Sequence, residues 1–249
     1  MSTSLPAPAV QAHTTTPSSV ERRHPFVAGP VHFVFLFLGL AAWCFYFKVL
    51  VDSLIASAHP NRLGLYGMTL LFEWLLFAFA VWGVRRHGAP LSLILGPRWQ
   101  SAKQVFRDIG IASLFWGAAL LILSGVHWLL RVPPQNAAVQ AIVPHTPVEI
   151  AVWLLDAVTA GICEETLFRG YLQRQFIAFT RSAPAGIIVS ALCFGAAHIY
   201  QGLRMVVFIA IFGLMFGVLA WWRNSTRPGM IAHGWQDALG GVVTGLSRR

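Results

Sequence analysis

Residues 161–170 place two adjacent carboxylates, Glu164 and Glu165, and one guanidinium, Arg169, inside an otherwise apolar run. A charge at membrane depth costs roughly 2.5–3.5 kcal/mol even on the insertion scale, so such residues usually face a protein interior. Glu165 precedes Arg169 by four residues, the better orientation for an ion pair on a helix. Glu164 lies about 100° away around that helix and needs another partner.

Two histidines later in the chain can supply that partner. His198 follows Phe194 by one turn, and His233 and Asp237 are spaced i,i+4, which puts them on one helix face. Hydrolysis of an amide needs a nucleophile, a proton acceptor and a donor that stabilises the oxyanion. A buried glutamate suits the acceptor role, and a histidine can be the donor. No serine or cysteine pairs recognisably with a histidine and an acid, so we infer that the nucleophile is water.

The composition predicts an all-α, polytopic membrane protein. Of 249 residues, 56% are hydrophobic and only 11% are charged, against about 25% in an average soluble domain. The formal charge of +9 comes from arginines at the ends of apolar runs, which argues against a nucleic-acid partner. The three cysteines show no CxxC spacing, which argues against a disulfide framework or a zinc knuckle.

The chain divides into a tail and one helical membrane domain. Residues 1–30 are rich in Ser, Thr, Pro and Ala and predict a disordered tail. A bundle of about seven transmembrane helices fills residues 31–249, and the core that carries the candidate chemistry lies at about 147–246. The predicted spans are 31–57, 63–84, 105–130, 147–172, 183–201, 204–222 and 229–246.

Local signals sharpen this outline. Thr146 to Glu149 form a capping box with proline at the first helical position, so the fourth span begins there. Lys48 and Asp52 predict an i,i+4 ion pair. Gly213 and Gly217 predict close helix packing. The segment 85–103 predicts a half-apolar loop resting on the membrane surface.

Simple helix arithmetic brings the polar residues together. If the fourth helix turns back at 180–182, Glu164 lies sixteen residues before the turn and His198 sixteen after it. The two then have equal heights in an antiparallel hairpin. If Arg174 marks the cytoplasmic surface, Glu164 is about 15 Å deep, while His233 and Asp237 lie about 8 and 14 Å below that surface. Asp156 shares a face with Glu164, where it could shape the cavity or pair locally, and it is left out of the predicted site.

The distribution of basic residues predicts a cytoplasmic N-terminus. We therefore expect a multi-pass protein of the bacterial inner (plasma) membrane. Ten basic residues then lie inside and five outside. The inside set is Arg22, Arg23, Arg85, Arg86, Arg98, Lys103, Arg174, Arg181, Arg223 and Arg227, and the outside set is Arg62, Arg131, Arg204, Arg248 and Arg249.

The motifs Glu-Glu-x-x-x-Arg, Phe-x-x-x-His and His-x-x-x-Asp, in this order, resemble those of the CPBP intramembrane proteases, the CAAX-processing and bacteriocin-processing enzymes. The resemblance covers about 150–246. It implies a glutamic endopeptidase without a metal or other cofactor. In that scheme Glu164 activates a water with help from His198, and Glu165 and Arg169 support the site.

The same resemblance implies that His233 and Asp237 stabilise the oxyanion. The prenyl-CAAX enzymes carry asparagine where this chain has Asp237. A carboxylate can donate a hydrogen bond only when it is protonated, so an ionised Asp237 cannot donate to the oxyanion.

Two other functions stay open. Glu164, His198 and His233 are suitable zinc ligands, although the chain has no HExxH helix. Acid–histidine layers also serve proton-coupled transport, and some family members could act in immunity without cutting anything. We expect a membrane-anchored peptide or protein substrate and the lipid bilayer as partners. The resemblance suggests prenylated proteins in eukaryotes and peptide maturation or self-immunity in bacteria. The oligomeric state stays open.

Overall fold

The computed structural model describes residues 25–131 and 136–246, which are helical with short connections. Six of the seven long helices begin and end within a few residues of the predicted spans, whereas the fourth predicted span, 147–172, divides into an α-helix and a π-helix. The long helices are α1 (Pro30–Ala56), α2 (Arg62–Arg86), α4 (Ala102–Leu130), α6 (Pro147–Glu164), α8 (Ala183–Ala197), α9 (Leu203–Arg223) and α10 (Arg227–Leu246). Shorter pieces are α3 (Ser92–Leu95), α5 (Ala137–Ile142), a π-helix (Glu165–Leu172), α7 (Gln173–Thr180) and a 3₁₀ turn (Ile199–Gln201).

Among the described residues, the four helices α1, α2, α4 and α9 are long and apolar enough to cross a membrane. Large apolar side chains on these helices point outward, such as Phe45, Leu114 and Leu121, which are 72%, 78% and 80% exposed. In water such a surface would promote association, whereas lipid solvates it. The protein is therefore an all-α, multi-pass membrane protein. The higher figure of seven spans stays a prediction.

The start of the bundle differs from the prediction. Residues 1–24 lie outside the described part, but 25–30 are not a disordered tail. Val27 and Ala28 are fully buried. The Gln175 side chain accepts a hydrogen bond from the Val27 N–H at 2.8 Å and donates one to the Ala28 carbonyl at 2.9 Å. Gln175 thus supplies backbone partners to a short segment that has no helix or strand of its own.

The loop after α2 contains a short helix, α3, whose Ile94 is fully buried against the protein. The expected contact of this loop with the membrane surface stays a prediction. A Cβ on Gly170 would lie only 2.4 Å from the Ile94 carbonyl oxygen, so a glycine permits this close approach. The loop thereby packs against the π-helix, which carries part of the predicted site.

Helices α2 and α6 pack side by side and run parallel. Arg62 lies 3.9 Å from Glu149, and the Tyr66 and Trp153 rings meet edge to face at 5.7 Å. The residue numbers in the two contacts differ by the same amount, so the two helices advance together in the same direction. The predicted capping box at the start of α6 is confirmed, with Thr146 accepting from the Glu149 N–H.

Helices α6 and α10 are antiparallel and very close. A Cβ on Gly161 would lie 2.6 Å from the Met230 carbonyl oxygen, and the Trp153 indole N–H donates to the Asp237 carbonyl at 2.8 Å. Glycine at this crossing lets the two backbones approach. This approach brings the His233–Asp237 face of α10 against the acidic end of α6.

Helix α8 packs between the π-helix and α9. The Ser190 hydroxyl donates to the Phe168 carbonyl at 2.8 Å. The predicted close packing at Gly213 and Gly217 is confirmed, since a Cβ there would meet Phe194 at 3.0 Å and Gln173 at 2.7 Å, respectively. The predicted Lys48–Asp52 ion pair is also present, at 2.5 Å.

Candidate active site

The acidic motif straddles a change of helix type. Glu164 is the last residue of α6, and Glu165 begins a π-helix of eight residues that are all buried. The sequence analysis treated this stretch as continuous α-helix, which is wrong. A π-helix has more residues per turn and occurs often at functional sites. Here the side chains of Glu164 and Glu165 both lie within 4 Å of His233.

Glu165 is held between two cationic or polar groups in the interior. Its Oε1 lies 2.9 Å from Nη1 of Arg169 and 3.0 Å from Nδ1 of His233. The side chains of Glu165 and Arg169 are 0% and 1% exposed. The predicted i,i+4 ion pair is therefore confirmed, and it also fixes one nitrogen of His233. An ion pair this deep needs its extra hydrogen bonds, because desolvation of both charges is costly.

Aromatic rings complete the surroundings of Arg169. The guanidinium carbon lies 4.1 Å from the centre of the Phe194 ring and 5.0 Å from that of Phe216. Such contacts are favourable to a desolvated cation. The Phe194 of the predicted Phe-x-x-x-His motif thus stabilises the buried arginine.

The other nitrogen of His233 faces two further carboxylates. Its Nε2 lies 3.8 Å from Oε2 of Glu164 and 3.4 Å from Oδ2 of Asp237. The 3.8 Å gap is too long for a direct hydrogen bond. Carboxylates from α6, the π-helix and α10 therefore surround one imidazole, as the predicted convergence of these segments requires.

His198 lies apart from this cluster. It caps the C-terminus of α8, and its Nδ1 lies 2.9 Å from the Phe194 carbonyl oxygen. Because a carbonyl only accepts, Nδ1 must carry the proton and donate. In the part of the chain that the structure describes, no hydrogen bond joins His198 to Glu164. Phe194 lies between the histidines, with ring-centre distances of 4.9 Å to His198 and 6.0 Å to His233.

One cavity of about 630 Å³ connects these groups. Glu164, His198, His233 and Asp237 line it, whereas Glu165 and Arg169 lie behind its wall. Most of the remaining lining is apolar or aromatic. The arrangement can hold water and an extended peptide beside a carboxylate and two imidazoles, which is what amide hydrolysis by a general base requires.

Comparison with known families decides the class. Residues 146–239 match the model of the family described as type II CAAX prenyl endopeptidase, Rce1-like. This part of the chain belongs to the Rce1-like CAAX prenyl endopeptidase family. The family consists of membrane peptide hydrolases, so the matched residues form a domain of that class. Neither a curated protein nor a solved structure matches the chain.

The match places the endopeptidase domain in the structure. It runs from the N-cap of α6 into α10 and contains all six predicted site residues. Helices α1 to α5 lie outside the matched residues. Four of them nonetheless line the cavity, since α1 contributes Trp43, α2 contributes Glu73, α4 contributes Leu123 and α5 contributes Ile142.

The sequence analysis missed Glu73. This carboxylate in the middle of α2 is only 8% exposed, and its buried Oε2 has no hydrogen-bond partner in the structure. The sequence did contain an indication of its role, because a single acidic residue in an apolar span usually faces the protein interior and functions there, as was argued for Glu164. Asp156, which was left out of the predicted site, also lines the cavity with an unpartnered Oδ1.

The positions of the possible metal ligands are relevant to the alternative of a zinc-dependent protease. Within residues 25–131 and 136–246, no group of three or more His, Cys, Asp or Glu side chains is arranged to hold a metal ion. Glu164 lies 3.8 Å from His233, and no ion pair joins it to His198 within these residues. The expectation of a metal-independent reaction stays a prediction for experiment.

Proposed function

We propose that this protein is an intramembrane endopeptidase that hydrolyses a peptide bond of a membrane-anchored substrate with water activated by Glu164. The observation that carries the proposal is the placement of the Glu164 carboxylate in the cavity wall, 3.8 Å from His233. A water bound to the Glu164 carboxylate in the cavity can give it a proton while the water oxygen attacks the carbonyl carbon of the substrate. Glu164 then passes that proton to the leaving amine.

His198 completes the water site in this proposal. Because its Nδ1–H donates to the Phe194 carbonyl, Nε2 of the neutral ring is an acceptor for the second hydrogen of a cavity water. His198 thus orients the water, and Glu164 takes the proton.

His233 stabilises the tetrahedral intermediate. When both ring nitrogens are protonated, Nδ1 donates to Glu165 and Nε2 donates into the cavity. Loss of one such oxyanion donor typically lowers kcat by about 10²–10³. Glu165 and Arg169 fix the ring orientation, while the Asp237 carboxylate, 3.4 Å from Nε2, stabilises the imidazolium. This assigns Asp237 an electrostatic role that an ionised carboxylate can perform.

The proposed membrane arrangement follows the predicted seven spans. The helix from Pro147 to Thr180 with its π-segment, α8 and α10 add three crossings to the four long apolar helices. With the N-terminus in the cytoplasm of a bacterium, the cavity extends from the middle of the bilayer toward the outer ends of the helices, where Tyr66, Ile142 and Trp153 line it. The expected opening of the site toward the cytoplasmic half is therefore not the side to which this cavity extends.

The decisive experiment compares wild type with Glu164→Gln. The full-length protein in proteoliposomes is incubated with a panel of membrane-inserted fluorogenic peptides, with and without a zinc chelator. We expect Glu164→Gln to lower kcat by about 10²–10⁴, because the general base is lost, and the chelator to have no effect. Asp52→Asn, which removes an exposed carboxylate on α1 outside the cavity, is the matched control and keeps the wild-type rate.

Two results would contradict the proposal. Equal cleavage by wild type and Glu164→Gln would show that this carboxylate is not the base. Loss of wild-type cleavage on chelation, with recovery on adding Zn²⁺, would favour the zinc-dependent protease.

A further inference from the structure

The cavity has a strongly one-sided charge. Four of the nine Asp and Glu residues of the chain line it, and no lysine or arginine is among its lining residues in the described part of the protein. The acidic residues are Glu73, Asp156, Glu164 and Asp237. Only Glu164 and Asp237 have an imidazole, that of His233, within 4 Å. Glu73 and Asp156 are therefore unexplained by the proposed reaction.

Glu73 lies in an energetically unfavourable environment for a carboxylate. It is 8% exposed, it lines the cavity, and its buried Oε2 has no partner among the described residues. A buried carboxylate without a hydrogen bond or counter-charge is strongly unfavourable. Asp156 repeats the pattern, with a buried and unpartnered Oδ1. A cationic ligand would satisfy both.

The register of the helices places Glu73 near Asp156 and Glu164. Contacts at Arg62–Glu149 and Tyr66–Trp153 set a constant offset between the parallel helices α2 and α6. The same offset farther along α2 puts Glu73 at the height of Ala160 on α6, and Ala160 also lines the cavity. Asp156 and Glu164 each lie one turn, about 6 Å, from that level.

We propose that Glu73 and Asp156 form a subsite that binds the ammonium or guanidinium group of a basic substrate side chain. The proposal rests on the proposed function, and it names the substrate class of the same cavity. A step of about 6 Å along an extended peptide is roughly two residues. The protease therefore selects a lysine or arginine within two or three residues of the cleaved bond.

The same charges select against an acidic side chain at this subsite. Carboxylates on the cavity wall repel another carboxylate, and Arg169 lies behind the wall and is already paired with Glu165. Like-charge contacts of this kind are a common source of specificity.

The test measures cleavage and binding with one peptide series. Membrane-inserted fluorogenic peptides carry a single Lys, norleucine or Glu at each position across an apolar segment. The full-length wild type, Glu73→Gln, Asp156→Asn and the control Asp52→Asn are compared in proteoliposomes. Binding is measured separately with non-cleavable versions of the same peptides, by energy transfer from cavity tryptophans.

The Lys-to-norleucine ratio of kcat/KM decides the matter. We expect wild type and Asp52→Asn to favour Lys at one position by about tenfold or more, and Glu73→Gln and Asp156→Asn to lower that ratio by about tenfold. A ratio near one in wild type, or an unchanged ratio in both cavity variants, overturns the subsite.

The binding arm separates this proposal from the proposed function. If wild type cleaves none of the peptides but binds Lys peptides about tenfold more tightly than norleucine peptides, and Glu73→Gln removes that preference, the subsite stands without the protease. If cleavage depends on Glu164 but binding shows no preference for Lys, the protease stands without the subsite. If Glu73→Gln fails to fold, Asp156→Asn carries the comparison.

Discussion

At the scale of single residues, His233 is the centre of the candidate site. Glu164, Glu165 and Asp237 approach its ring, and the Phe216 ring centre lies 5.5 Å away. Only Glu165 holds a hydrogen bond of ordinary length to it, at 3.0 Å. Its orientation therefore depends on Glu165, and through Glu165 on Arg169.

Removal of Arg169 tests this dependence. Arg169→Met leaves the fully buried Glu165 carboxylate without its counter-charge, which we expect to lower the free energy of unfolding by about 3–5 kcal/mol. The double variant Glu165→Gln/Arg169→Met removes both charges and recovers part of that loss. Unfolding is followed by heating the detergent-solubilised protein, with activity measured on the folded fraction.

The double variant also separates stability from function. Even where its stability recovers, kcat stays low, because His233 has lost its carboxylate partner. Strictly additive losses of stability in the two single variants and the double variant would argue against a coupled pair.

At the scale of elements, the site depends on the crossing of α6 and α10. Gly161 lets the α10 backbone approach, and the Trp153–Asp237 hydrogen bond locks the same pair of helices one to two turns away. The following π-helix aims Glu164 and Glu165 at the same ring of α10. A small outward shift of either helix would widen the 3.8 Å gap between Glu164 and His233.

Gly161→Ala should therefore reduce activity sharply. Its Cβ would stand 2.6 Å from the Met230 carbonyl oxygen and 3.0 Å from the Gly234 nitrogen, which are backbone atoms that cannot rotate away. We expect kcat to fall about 10²-fold through misplacement of the general base. The measurement is kcat on the best peptide of the panel.

Gly110→Ala is the matched control, since its Cβ meets nothing within 4 Å. Alanine is the better helix former by up to about 1 kcal/mol, so this control keeps its activity and gains slight stability. Full activity in Gly161→Ala would show that the helix crossing does not position the catalytic carboxylate.

At the scale of the whole molecule, the connections gather at two opposite ends. At one end, Arg174 donates to the Asn224 side chain and Arg227 donates to the Pro97 carbonyl. At the other, Arg62 donates to the Ala141 carbonyl and Arg204 to the Arg131 carbonyl. The first end holds most of the basic residues that the charge rule assigns to the cytoplasm.

Cysteine labelling tests this orientation. His59→Cys is placed in the α1–α2 connection and His87→Cys after α2, both at exposed positions on opposite ends. With a cytoplasmic N-terminus, a membrane-impermeant maleimide labels the position-59 variant in intact cells and the position-87 variant only after the cells are broken. The wild type, whose three described cysteines are buried or half-buried, is the control for background labelling. The reverse pattern would invert the orientation.

The sequence by itself determined the helical class, most bounds of the long helices and the residues that carry the candidate chemistry. These depend on local properties: apolar length for α1, α2, α4 and α9, the capping box that starts α6, and the expense of charge in an apolar run for Glu164, Glu165 and Arg169. The i,i+4 pairs were readable for the same reason, because the spacing alone sets the contact. The family resemblance rested on motifs within single helices.

Only the tertiary structure decided which of these helices touch, and at what height. It put His233 rather than His198 within 4 Å of Glu164, began a π-helix at Glu165 within the acidic motif, and brought Glu73 of α2 level with the face of α6 that lines the cavity. Each outcome depends on the register between segments far apart in sequence. That register is set by packing at positions such as Gly161 and Trp153. There the fit between two helix surfaces determines the contact, and the sequence of one helix alone does not predict that fit.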